Sequence, residues 1–255
     1  MKNFIKNILI ILWKTFSPKS NQDFLFIMGH PRSGSSLLMH ILESNDELIG
    51  YGEYFTKYKD SKSLLKSEFD IRRKSNQLFK KCKYIVNQVN HHSVTPNLKL
   101  LISKTNKHIL LIRNPEDTLS SMIKLSDSVN QPMSQEAVTY IYIERLEYLK
   151  KMIGLIDPLN WIFISYDDLL NNPEENLNNL RYFLDLKEPL KKEYQLKRFT
   201  QKWGDPSKNI TKGKIFKPTS DKVIIEAKLL KKASKVYTET YVFLKSKLLL
   251  RPNKN

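Results

Sequence analysis

The chain has 255 residues, 40% of them hydrophobic, with 43 basic against 26 acidic side chains, a net charge of +17 and a single cysteine. That apolar content can bury a core and excludes a disordered chain. The lone Cys82 excludes a disulfide framework and points to a reducing, cytoplasmic setting, and no Cys/His grouping has the spacing of a structural zinc site. The charge is unevenly placed: four lysines and no acid in residues 1–22, 20 basic and 20 acidic residues in 23–186, and 19 basic against 6 acidic in 187–255. The expected organisation is a basic, apolar N-terminal segment (1–22) before one domain (23–255), with its core at 24–186 and a basic helical part at 187–255.

The first element is the apolar run 8–13, bounded by Lys6 and Lys14. It falls short of the ~20 apolar residues of a membrane span and lacks a signal-peptide cleavage site. Two readings fit it: a helix packed on the body, and an interfacial anchor making peripheral contact with an anionic membrane. Apolar runs at 24–28, 84–86, 109–112 and 161–165 read as buried strands. Helical patterns lie between them at 35–45, at 116–128 after Pro115, at 134–153 behind a Ser134 cap, and at 173–186 opening Pro-Glu-Glu. The alternation predicts a parallel sheet with helices on both faces. Further on, Val223, Ala227, Leu230, Ser234, Tyr237, Tyr241, Leu244 and Leu248 form a stripe that six lysines avoid, a basic amphipathic helix that docks on the body or meets a membrane or partner.

The run 24–28 leads into Gly29-His30-Pro31-Arg32-Ser33-Gly34-Ser35-Ser36 and then a helix. A loop between strand and helix N-terminus converges backbone N–H groups on one point, where the helix dipole adds positive potential, so this is a candidate anion site. The spacing imitates a phosphate-binding loop, but Ser35 stands where its lysine belongs and Arg32 supplies the cation instead. The run 109–112 ends in Arg113-Asn114-Pro115, with Ser121 eight residues after Arg113. Arg113 and Ser121 can grip a second phosphate in the crevice where open α/β sheets bind ligands.

These paired motifs, with Tyr166-Asp167-Asp168-Leu169-Leu170-Asn171-Asn172-Pro173-Glu174 after the last run, resemble sulfotransferases that use 3′-phosphoadenosine 5′-phosphosulfate (PAPS). The arginine form of the first motif is similar to carbohydrate, tyrosylprotein and bacterial members. The resemblance implies a P-loop-like three-layer α/β fold, a central parallel sheet flanked by helices, with the basic C-terminal helix added. It implies that Arg32, Ser33, Gly34, Ser35 and Ser36 bind the 5′-phosphosulfate, that Arg113 and Ser121 bind the 3′-phosphate, and that no metal is needed. Leu37 replaces the tryptophan that cytosolic members stack on adenine. The segment Trp203-Gly204-Asp205-Pro206…Lys212-Gly213-Lys214 is faintly similar to one that closes over the donor, which makes Lys212 and Gly213 further donor-binding candidates.

Sulfonyl transfer needs an acceptor hydroxyl or amine deprotonated as it attacks, and charge neutralised on the leaving oxygen, where Arg32 fits. Glu53, in Gly50-Tyr51-Gly52-Glu53-Tyr54, is the candidate base, expected on a tight exposed bend, and arginine-type members carry a glutamate at this distance. His91 or His92 is the alternative, behind Asn87-Gln88, where related chains often show aspartate-lysine. Adjacent histidines point to opposite sides of an extended segment, so at most one faces the site. His30 and His40 read as structural and His108 as a strand-edge residue. The acceptor implied is a glycan or glycolipid rather than a flat phenol, with its pocket expected from 54–80 and 126–135. The rivals are a nucleotide kinase or NTPase, opposed by the missing lysine at 35, and a basic membrane- or nucleic-acid-binding protein. A neutral body opposes binding to nucleic acid.

Overall fold

The computed structural model describes residues 2–17, 23–201, 208–217 and 221–249. Five parallel strands, β1 (Asp23–Gly29), β2 (Leu48–Gly50), β3 (Tyr84–Val89), β4 (Lys107–Ile112) and β5 (Trp161–Ser165), form one sheet in the order β2-β3-β1-β4-β5. β1 lies at the centre, and its continuous apolar sequence is what a strand covered on both faces requires. Its alternate residues divide between two cores. Phe24, Phe26 and Met28 face α3 (Ser61–Lys74), α5 (Pro115–Ser128), α6 (Gln135–Ile153) and α9 (Ala227–Leu249). Leu25 and Ile27 face α2 (Ser35–Glu43), α7 (Tyr166–Asn171), α8 (Pro173–Leu184) and the segment through Tyr194, Phe199 and Ile210. A short α4 (Leu98–Leu101) precedes β4.

Local sequence sets the helix boundaries. Asn114 accepts the Asp117 amide, with Pro115 opening α5, and Ser134 accepts the Ala137 amide to open α6. α8 stops at Leu184, two residues before the expected end, because Asp185 turns left-handed (φ 50°). α3 was not anticipated, although Asp60 and Ser63 form a capping box at its start. β2, three residues at the sheet edge, is too short to show a period.

Two readings are corrected. His108 is no strand-edge residue: β4 is flanked by β1 and β5, and the ring is fully buried, bonded to the Leu101 carbonyl and stacked 5.7 Å from Phe26. On α9 the fully buried side chains are Ala233, Thr240 and Leu244, while Ala227 is exposed, so the seam against α6 is rotated from the predicted stripe. Lys228, Lys231, Lys232, Lys235, Lys245 and Lys247 are exposed, as expected of a helix docked by one face.

The N-terminal helix α1 (Lys2–Phe16) also docks, against α3. Ile10 and Trp13 bury there, Trp13 lies edge-on to Phe69 at 5.5 Å, and its indole N–H donates to the Leu78 carbonyl at 2.9 Å.

Candidate active site

β1 is the point at which the chain's strand order changes side, with β3 on one flank and β4 on the other. Open α/β sheets hold ligands beyond the strand ends at such a point. There the loop 29–34 turns from β1 into α2. Arg32 (φ 64°) and Gly34 (φ 93°) are both left-handed, and for a non-glycine residue that backbone costs about 1–2 kcal/mol. Gly34 has no substitute at its position: a Cβ there would lie 2.2 Å from the Tyr166 ring.

Three cavities open on this loop, and Arg32 and Leu125 line all of them. The middle one, about 150 Å³, is bounded by Arg32, Gly34, Ser35 and Ser36 together with Glu53, Asn90, His91 and Arg113. On one side lies a cavity of about 480 Å³, walled by Arg113, Ser121, Lys214 and the apolar Leu37, Tyr194, Ile210 and Phe216. On the other lies one of about 460 Å³, walled by Met122, Leu125, Val129, Met133 and Ile141, with His91, His92 and Glu144 across from them.

Arg32 donates through Nε to Ser121 Oγ at 2.9 Å, so the first motif touches the second. His30 joins them again. Its Nε2 accepts the Arg113 amide at 3.0 Å and its Nδ1 meets the Pro31 carbonyl at 2.9 Å, an arrangement that requires the neutral ring. Burial pushes its pKa down to about 3, so it keeps that form. The Arg113 guanidinium lies over the Tyr166 ring at 4.5 Å, its Nη2 3.6 Å from Asp117 Oδ2, while its buried Nε has no protein partner. Burial pushes the Asp117 carboxyl up, but Lys222, Asn114 and Arg113 outweigh it and leave it below the ordinary value. An unpartnered buried guanidinium N–H beside a cavity, next to a loop that leaves α2 without a side-chain cap, fits a phosphorylated ligand.

Not every expected donor residue lines these cavities. Ser33 is fully buried beneath the loop, with its hydroxyl 2.4 Å from where a Gly29 Cβ would stand. Lys212 sits over the Phe216 ring at 3.8 Å, and Gly213 (φ 67°) offers its carbonyl to the Tyr194 amide. Lys214 lines the larger cavity instead. The similarity around Trp203–Pro206 lies outside the described residues.

Glu53 lines the middle cavity, and burial raises its carboxyl above the ordinary value, against the pull of the Asn90 side chain and the Arg32 charge. The Asn90 amide donates to Ser35 Oγ at 2.9 Å and reaches Glu53 Oε1 at 3.4 Å, spanning the start of α2 and the carboxylate. Asn87 fixes the next residue: it accepts the Tyr54 amide at 3.1 Å and donates to the Tyr54 carbonyl at 2.9 Å. The bend carrying Glu53 is not exposed as expected. Gly50 and Gly52 are both buried, and Cβ atoms there would meet Glu43 Oε1 at 2.4 Å and Phe199 at 2.9 Å.

The two histidines separate as expected. His91 lines the middle cavity, its pKa lowered by burial and then by Arg145. His92 stacks on Tyr148 at 4.3 Å with Nδ1 3.7 Å from Glu144, and lines only the apolar cavity. Residues 126–133 contribute to that cavity, whereas 54–80 line none of the three. Asn90, Leu125, Tyr194 and Phe216 were missed. Among them only Asn90, directly before the paired histidines, carried a signal.

No curated protein matches the chain in sequence. Among solved structures it is similar to the sulfotransferase domain of the Synechococcus PCC 7002 olefin synthase (15% identity, TM-score 0.58, covering 86% of this chain and 97% of that one). It is also similar to mouse sulfotransferase SULT7A1 complexed with PAP (14%, 0.56, 93% of each chain) and to a sulfotransferase from Alicyclobacillus acidocaldarius (13%, 0.53, 91% and 98%). These likenesses bear on the fold. The sulfotransferase domain family matches residues 22–232, across the sheet, the phosphate loop and Arg113. The chain belongs to that family and is a PAPS-dependent sulfotransferase.

Proposed function

We propose that Glu53 is the general base, that Arg32 and the N-terminus of α2 stabilise the departing phosphate, and that the acceptor is the hydroxyl of an amphiphile such as a lipid-linked sugar. The supporting observation is that the three cavities share Arg32 and Leu125 in their walls, with Glu53 in the one that shares most residues with both the Arg113–Ser121 cavity and the apolar cavity. Glu53 removes the hydroxyl proton as that oxygen forms its bond to sulfur. The bond from sulfur to the bridging phosphate oxygen breaks, and adenosine 3′,5′-bisphosphate leaves with the electron pair. Arg32 offsets the charge growing on that oxygen, and Arg113 with Ser121 holds the 3′-phosphate.

Within the expected glycan or glycolipid class, the wall of Met122, Leu125, Val129, Met133 and Ile141 favours the lipid-bearing member: a bare sugar would leave that apolar surface without a partner. The test is turnover of labelled PAPS with a glycolipid and with its free sugar. Transfer to the glycolipid at the higher kcat/KM is expected, and preference for the free sugar would contradict the assignment. A cytoplasmic setting, expected from the lone cysteine, completes the reading, and fractionation that recovers the protein outside the cytoplasm would sink that part.

A further inference from the structure

The helix α1 presents two different faces. Among the described residues of the inward seam, Ile10 and Trp13 are the buried apolar ones, and Lys6 Nζ donates to the buried Asp70 carboxylate at 2.5 Å. Opposite it, Ile5, Ile8, Leu9, Ile11, Leu12 and Phe16 are between 41% and 74% exposed. At 3.6 residues per turn these six fall within one arc of roughly 160°, which also holds the exposed Thr15, its hydroxyl bonded back to the Ile11 carbonyl. The exposed Phe79 adjoins the docked helix, directly after the Leu78 carbonyl that holds the Trp13 indole. Soluble monomers rarely leave so many apolar side chains uncovered on one helix face.

We propose that this outer face of α1 docks on an anionic lipid bilayer, with the helix lying in the interface. Length excludes a span: 15 residues rise roughly 22 Å, against a hydrocarbon core of about 30 Å. Charge selects the partner: residues 1–22 carry four lysines and no acid, and with Lys6 paired to Asp70 the segment keeps an excess of three, the sign carried by helices that bury an apolar face among anionic headgroups. A second copy of the chain would bring those lysines against their own kind.

The inner seam keeps the helix on the body while the outer face meets lipid. Asp70 accepts both Lys6 and the Tyr54 hydroxyl, the latter at 2.6 Å, and Tyr54 directly follows Glu53. The membrane-facing helix is therefore one hydrogen-bonded chain away from the segment that carries the base. It holds the enzyme at the surface where an amphiphilic acceptor would reside. The proposal does not depend on the acceptor or base assignments, because binding to lipid is read without donor.

The test is co-sedimentation of the full chain with vesicles of phosphatidylcholine plus phosphatidylglycerol, and with phosphatidylcholine alone. Wild-type protein is expected to partition at least ~10-fold more strongly onto the anionic vesicles, and the double substitution Leu9→Ser/Leu12→Ser to lower that binding by at least ~10-fold. Both side chains are about half exposed, so the variant should retain wild-type affinity for adenosine 3′,5′-bisphosphate, measured alongside as a check on folding. Absence of vesicle binding, or equal binding by wild type and variant, overturns the proposal. So does a dimer of the wild-type chain in sedimentation equilibrium that the same double substitution abolishes, which would assign the face to a second copy.

Discussion

Arg32 and Arg113 show why the chain's net charge of +17 says little about its ligand. Both lie in a body where 20 basic groups balance 20 acidic ones, and their effect comes from placement: Arg32 on a left-handed turn against Ser121, Arg113 stacked on Tyr166 with its amide held by His30. With Arg113 on the 3′-phosphate, as proposed, its replacement by alanine removes charge-assisted bonds worth about 1.5–3 kcal/mol, so affinity for adenosine 3′,5′-bisphosphate should fall about 10–100-fold by calorimetry. An unchanged affinity would remove Arg113 from the donor site. Substituting Asn87 by alanine should act through position alone: with the Tyr54 backbone released, kcat should drop while donor affinity stays at the wild-type value. Equal losses in both would mean that the donor site itself had collapsed.

At the scale of elements, the contact between the phosphate loop and α7 makes the sharpest prediction. Gly34→Ala places a methyl group into the Tyr166 ring on a backbone at φ 93°, and should destabilise the fold by more than ~1 kcal/mol in denaturant unfolding. Adding Tyr166→Ala should recover only part of the loss, because the backbone strain persists; full recovery would show that the ring was the whole cost. β1, β4 and β5 were legible because strands buried on both faces are nearly continuously apolar; β3 was legible only over 84–86, since Asn87 and Gln88 interrupt its apolar run; α5, α6 and α8 were legible because Pro115, Ser134 and Pro173 mark their starts. α3 escaped notice because its residues are largely polar; it buries Glu68 with Arg72, a pair bonded at 2.9 Å that a hydrophobic period cannot reveal. The residues of the candidate site were legible where loop motifs carry them: Arg32, Glu53 and Arg113, far apart in sequence, line one cavity. Tyr194 and Phe216 were not, because they reach the larger cavity by chain return and not by local pattern.

Across the whole molecule, buried titratable groups set how stability responds to pH. Burial pushes Glu43, packed beneath Gly50, up to about 8 from an ordinary value of 4.5. Between these values the folded state keeps a proton that the unfolded chain releases, so this carboxyl makes stability fall as pH rises, by up to about 1.4 kcal/mol per unit. Burial pushes His30 and His108 down to about 3 and about 4 from 6.5, so their contribution rises with pH and is complete near 6.5. From pH 6.5 to 8 the Glu43 slope should remain, and Glu43→Gln should flatten it in denaturant titrations; an identical slope in the variant would reject this account. The central claim is that Glu53 takes the acceptor proton, and the pH dependence of kcat/KM for wild type, Glu53→Gln and His91→Ala tests it most directly. A base must be deprotonated to act, so wild-type activity should be lost as pH falls through a midpoint above the ordinary carboxyl value of 4.5. His91→Ala should keep that limb, and Glu53→Gln should lose it along with about 10²–10⁴-fold in rate. A limb that survives in Glu53→Gln and disappears in His91→Ala would contradict the account and make His91 the base.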